Sequence, residues 1–128
     1  MRLLLDTHAL LWFLEGSAEL GQGAREHIED RANERLVSVA SLWEMAIKIS
    51  LGKLRFPHTD TSAVVHLLSS NRMDLLPIEA AHALGVSQLP LHHRDPFDRL
   101  LIVQARLENA VIVSRDEHFA VYGARTVW

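Results

Sequence analysis

Short, largely apolar runs alternate along this chain with longer stretches whose apolar residues recur at helical spacing. Leu3–Leu5, Leu36–Ser38, Met73–Pro77, Ala110–Val113 and Ala124–Val127 read as buried strands. Between them, Ala9–Leu14, Gly23–Ala32, Val39–Leu51, Ser62–Ser70, Ile78–Val86 and Pro96–Glu108 carry the period of amphipathic helices. Strands separated by helices need crossover connections, and these are right-handed and build a mostly parallel sheet covered on both faces. The pattern therefore predicts the α/β class.

Composition narrows this reading without changing it. The chain has 128 residues, 48% of them hydrophobic and 23% charged, so residues 1–128 are expected to form one globular domain. No repeat, low-complexity tract or linker divides it. There are no cysteines, which excludes disulfides, thiolate metal sites and cysteine nucleophiles and suits a cytoplasmic protein. The longest apolar runs, such as ALLWFL at residues 9–14, fall far short of the roughly 18 apolar residues that a membrane span needs. The opening MRLLLDTHALLWFLEG imitates a leader peptide, but Asp6 and His8 interrupt it and no small-residue cleavage site follows. A formal net charge of -3 argues against a broad surface that coats nucleic acid, while leaving room for a local basic patch.

Open parallel sheets place their sites at the carboxyl ends of strands. Asp6 closes the first strand, and Ser114 and Asp116 follow the fourth. In SLWEMAIK, Ser41 and Glu44 have capping-box spacing and Glu44 with Lys48 has the spacing of a helical ion pair. Both are structural explanations for Glu44, yet its helix follows a strand that ends on the same rim. RDPFDR holds two further acids, and its proline sorts them. Pro96 favours the first helical position, which puts Asp95 on the N-cap and Asp98 in the first turn, where the helix dipole favours a negative charge.

Other chemistries lack their strings: there is no GxxxxGK, G-x-S-x-G or HExxH, and the six glycines are scattered. His8, His92, His93 and His118 show no paired spacing on one element, and they read as exposed or hydrogen-bonding side chains rather than ligands. Carboxylates gathered on one rim would repel each other, and a divalent cation removes that cost. An all-oxygen donor set suits Mg2+ or Mn2+, which can lower the pKa of a bound water and neutralise phosphoryl oxygens during phosphodiester hydrolysis.

LLLDTHALLW, SVASLWEMAIKISLGKL, HRDPFDRLLIVQA and VIVSRDEHF, in this order across Met1 to Trp128, resemble the PIN-domain family, specifically its VapC-type toxins. The resemblance implies a three-layer α/β/α sandwich around a mostly parallel sheet of four or five strands, and a Mg2+- or Mn2+-dependent endoribonuclease. The family's first acid falls on Asp6 and its second on Glu44. Its third stands seven residues before an alanine, a spacing that Asp98 and Ala105 satisfy and Asp95 does not; its fourth falls on Asp116. Thr7 and Ser114 fall where the family places supporting polar residues, and Asp95 lies at the same rim. The resemblance further implies a homodimer held inactive by a VapB-type antitoxin, with no membrane association.

The expected reaction is hydrolysis of an RNA phosphodiester to a 5'-phosphate and a 3'-hydroxyl. Lys48, Arg94, Arg99 and Arg115 adjoin the acids in sequence and are candidate contacts to flanking phosphates. The alternative is a non-catalytic PIN-like module that binds RNA or protein, against which the presence of all four acids counts. A receiver-type signalling domain is a weaker rival, because DLLPIEA and ARTVW supply neither its phosphoacceptor nor its lysine.

Overall fold

A computed structural model of the chain describes residues 1–57 and 60–128. Its five strands are β1 (Arg2–Leu5), β2 (Glu34–Ser38), β3 (Asp74–Leu76), β4 (Val111–Val113) and β5 (Thr126–Val127). They form one sheet in the order β3-β2-β1-β4-β5, and every pairing is parallel. The register sets Leu5 opposite both Val37 and Val113. The carboxyl ends of β1, β2 and β4 consequently finish at one level.

The helices are α1 (Thr7–Glu15), α2 (Gln22–Glu29), α3 (Val39–Ser50), α4 (Thr61–Ser70), α5 (Ala80–Gly85), α6 (Pro96–Leu107) and α7 (His118–Val121). Successive strand residues point to opposite faces, which divides the core in two. Leu3, Leu5, Val37, Val111 and Val113 pack with Ala9 and Leu10 of α1, Ile28 of α2, Met45 of α3 and Leu68 of α4. Leu4, Leu36, Leu76 and Ile112 pack on the other side with Leu101, Ile102 and Ala105 of α6 and Phe119 of α7. Two apolar layers on one sheet make the α/β/α sandwich, and burial of both faces explains why Leu3–Leu5 and Val111–Val113 of the central strands read as unbroken apolar runs.

Most element ends are fixed by identifiable caps. Helix α1 begins two residues before its apolar period because the Asp6 carboxylate accepts from the N–H of Ala9 at 2.7 Å, and it ends at Gly16 in the left-handed region, φ +66°. Asp60 caps α4 in the same way. The expected helix through Ala32 stops at Glu29. The helix expected over Ile78–Val86 runs only from Ala80 to Gly85, Val86 opening a 3-10 turn that extends to Gln88, and α7 arises from a segment with no helical period of useful length.

Helix α3 corrects one sequence expectation. Ser38 is its N-cap, accepting from the N–H of Ala40 at 3.1 Å. Ser41 therefore lies inside the first turn, buried, and the Ser41–Glu44 pair is no capping box. Glu44 falls in the second turn and is free to face the rim. The Ser38 hydroxyl also donates to Oε1 of Gln104 at 2.6 Å, and Gln104 is fully buried in α6. This bond ties α6 to the end of β2 across the middle of the sheet.

Candidate active site

Strands β1 and β4 lie side by side, with β2 on the outer flank of β1. Above their carboxyl ends opens a cleft of about 620 Å³, lined by Asp6, Glu44, Asp95, Asp98, Asp116 and Glu117 together with Thr7 and Ser114. Each of the four family-matched acids reaches it from a different element. Asp6 follows β1 as the N-cap of α1, Glu44 rises from α3, Asp98 from the first turn of α6, and Asp116 from the loop after β4.

Local bonds aim these carboxylates. Asp6 is held by its own helix cap, and burial raises its pKa, opposed by hydrogen bonds from the Ser114 hydroxyl and the Ala9 N–H. The Thr7 hydroxyl donates to Glu44 Oε1 at 2.6 Å, while Lys48 Nζ lies 3.1 Å from Glu44 Oε2. Asp95 accepts at one oxygen from the N–H groups of Phe97 and Asp98, at 2.9 and 3.1 Å. It is the N-cap that the sequence assigns, and Asp98 stands one turn in. Burial first, and the charge on Asp95 next, push the Asp98 carboxyl up to about 6, with Glu44 adding to the rise and the His93 hydrogen bond opposing it.

Two histidines belong to this site that the sequence reading set aside. His93 Nε2 is 2.9 Å from Asp98 Oδ2, and His118 Nδ1 is 2.7 Å from Asp116 Oδ1. Their rings stack on each other at 4.1 Å, with 11° between planes. The pair thus links the third and fourth acids. No spacing announced it, because one ring comes from the loop before α6 and the other from α7; only the fold makes them neighbours. His93, Asp95 and Asp98 can also present ligand atoms within 4.8 Å of one another, a group able to hold a cation.

The candidate phosphate contacts divide. Lys48 and Arg115 line the cleft, whereas Arg94 is exposed outside it. Arg99 departs from its expected role. Its guanidinium donates to the carbonyls of Val86, Pro90 and His93 and to the Tyr122 hydroxyl, at 3.0 to 3.3 Å. Occupied in this way, Arg99 braces residues 86–93 and is not part of the cleft lining.

A cluster of carboxylates with few cations beside it has an elementary chemical meaning. Lys48 answers Glu44 alone, and both Asp6 and Asp98 hold protons more tightly than an ordinary carboxyl. Oxygen donors crowded in this manner fit a hard divalent cation.

Solved structures share the fold. VapBC2 from Rickettsia felis, bound to a DNA fragment from their promoter, superposes with a TM-score of 0.71 at 18% identity, covering 99% of this chain and 98% of that one. VapBC-1 from nontypeable Haemophilus influenzae gives a TM-score of 0.66 at 15% identity, over 99% of this chain and 97% of that one. FitAcB from Neisseria gonorrhoeae gives 0.57 at 15% identity, over 98% and 96%. No curated protein sequence matches this chain. The sequence pattern of the PIN domain matches residues 3–124, nearly the whole length. The chain therefore belongs to the PIN domain family.

Proposed function

We propose that this protein is the VapC-type toxin of a toxin-antitoxin pair, an endoribonuclease that depends on Mg2+ or Mn2+. The observation that carries the reading is the convergence of Asp6, Glu44, Asp98 and Asp116, from four separate elements, on one cleft. These four carboxylates would hold the cation. When bound, it supplies a lowered pKa for an attacking water and neutralises charge on the phosphoryl and leaving oxygens. The protein's own part is to orient the donors: Thr7 and Lys48 fix Glu44, Ser114 steadies Asp6, and the stacked His93 and His118 hold Asp98 and Asp116. The product is an RNA 5'-phosphate and a 3'-hydroxyl.

A VapB-type antitoxin and a second copy of the chain are the proposed partners, and the surface supports a protein partner. An apolar trough of about 550 Å³ runs between α3 and α4, lined by Val39, Leu42, Met45, Val64 and Leu75 among others. Nearby Trp43 and Leu51 are exposed. Apolar surface gathered in this way is a common mark of an interaction site. Among the described residues no helix is long and apolar enough to cross a membrane.

The test is cleavage of a structured RNA by the purified protein with Mg2+, with excess EDTA, and by Asp6→Asn and Asp98→Asn. Cutting should stop in EDTA and fall at least about a hundredfold in each variant, the order of loss when a group that stabilises transition-state charge is removed. Equal cutting by both variants would refute the assignment.

A further inference from the structure

The acidic cleft has a second wall made of aromatic rings and one arginine. His8 and Trp12 are four residues apart on α1, and their rings stack at 5.3 Å with 27° between planes. The Arg115 guanidinium lies over the Trp12 ring, 4.5 Å from its centroid, and 5.9 Å from that of Trp128. Trp128 meets Trp12 edge-on at 5.8 Å. All four side chains line the same cleft as the acids.

The wall is built into the site, because its elements are those that carry the acids. His8 follows Asp6 by two residues, and Arg115 stands between Ser114 and Asp116. Trp128 is seated by two glycines. A Cβ on Gly21 would lie 2.6 Å from the Trp128 indole nitrogen, and one on Gly23 would lie 2.6 Å from the Trp128 carbonyl oxygen. The backbone of residues 21–23 passes against this residue as no larger side chain would allow. Arg115, by contrast, is lightly held. Its ion pair with Glu19 is 3.3 Å long, and both side chains are more than half exposed, a setting in which such pairs contribute little.

Charge decides what this wall can bind. Asp6, Glu44, Asp95, Asp98, Asp116 and Glu117 face Lys48 and Arg115 in the cleft, so an incoming polyanion meets net repulsion at every phosphate that lacks a cation. A nucleobase carries no such penalty. Every base has a π face, and aromatic rings and arginine planes are the surfaces on which unpaired bases stack.

We propose that His8, Trp12, Arg115 and Trp128 form a nucleobase-stacking subsite, which takes one unpaired base of single-stranded RNA beside the acidic cleft. The inference rests on the endoribonuclease reading for its ligand. It goes further in stating that affinity at this end of the cleft comes from a base, and that the substrate must be unpaired there.

The experiment is binding, separate from turnover. Fluorescently labelled RNA octamers, one intact and the others each lacking one base while keeping every phosphate, are titrated with Ca2+ replacing Mg2+ against the parent, Trp12→Leu, Trp128→Leu and Trp128→Phe. Loss of one particular base should weaken parent binding about tenfold, in line with stacking on an aromatic face. That position should become silent in both leucine variants and recover in Trp128→Phe. Tryptophan quenching of the parent by the intact octamer, absent with the octamer lacking that base, gives the same answer without any variant. A flat series with the parent, or a position dependence unchanged in the leucine variants, overturns the subsite while leaving the nuclease reading in place. Failure of the parent to bind the intact octamer overturns the subsite, and cleavage in Mg2+ then decides separately whether the nuclease reading survives.

Discussion

Replacing Asp98 by asparagine should stabilise the cation-free protein while removing its response to cations. Asp98 titrates at about 6 in the folded chain against an ordinary value of 3.8. Its side chain is 20% exposed. A shift of about two units corresponds to roughly 3 kcal/mol at about 1.4 kcal/mol per unit, an upper figure that residual solvent reduces to about 2. The sign follows from proton binding. Between about pH 4 and pH 6 the folded state holds the proton that the unfolded state has released, so stability from this group falls as pH rises through that window and stays low above it. Asparagine removes the charge and retains an acceptor for His93. In EDTA at pH 8, Asp98→Asn should therefore melt above the parent by about 2 kcal/mol, or roughly 8 °C for a chain of this size, and at pH 5 the gap should narrow. Adding Mg2+ or Mn2+ to a hundred times its Kd should raise the parent by about 2.7 kcal/mol and the variant far less, reversing the order. Thermal melts followed by circular dichroism in a pH and cation series measure all of this. A variant less stable than the parent in EDTA at pH 8 would deny Asp98 its cost as a buried carboxylate, and one raised equally by cations would refute the proposal that it ligates them.

Asp95→Asn should keep the α6 cap and melt within a degree or two of the parent, whereas Asp95→Ala should lose about 1 kcal/mol in urea denaturation; equal losses would deny the cap its role. Gln104→Leu leaves the Ser38 hydroxyl and the Pro77 carbonyl without their buried partner, and should cost about 1–3 kcal/mol, read as a lower urea midpoint with an unchanged slope. Arg99→Ala should destabilise by a similar amount yet leave the salt dependence of RNA binding untouched. A shallower salt slope in that variant would return Arg99 to the phosphate contacts.

The central strands were legible because burial on both faces writes itself as uninterrupted apolar runs such as Leu3–Leu5 and Val111–Val113, whereas the edge strands β3 and β5 carry exposed Asp74 and Thr126; all five lie within the runs that predicted them or extend them by one or two residues. Asp95 and Asp98 were separable for a local reason, since Pro96 fixes the start of α6 and so the position of each acid in its first turn. What escaped the sequence depended on contacts between distant segments. The Ser38 cap was hidden by the better-known spacing of Ser41 and Glu44. The stacking of His93 on His118 joins a loop residue to the first residue of α7, and Arg99 looks like any cation beside an acid until Tyr122 and backbone carbonyls of the preceding segment surround it. Asp6 was read as a ligand candidate alone, although Asp followed by Thr-His-Ala is itself a helix-start signal.

Helix α6 is anchored far from the cleft as well as beside it. At its distal end the Arg2 guanidinium donates to the Glu108 carbonyl at 2.6 Å, Arg2 also pairs with the Glu108 carboxylate, and that carboxylate reaches His82 at 3.1 Å. Arg2 begins β1, the strand that Asp6 follows, and α6 begins with the turn that carries Asp98. The strand and the helix are thus joined at one end, and each leads at the other to an acid of the cleft, like the arms of a caliper. Loosening the Arg2–Glu108 clamp is expected to be felt at the Asp98 end of α6, about 18 Å away by the length of a twelve-residue helix. Remoteness from the cleft is then a poor guide to neutrality, and a screen for altered cation affinity should return substitutions at Arg2 and Glu108 alongside those at the acids.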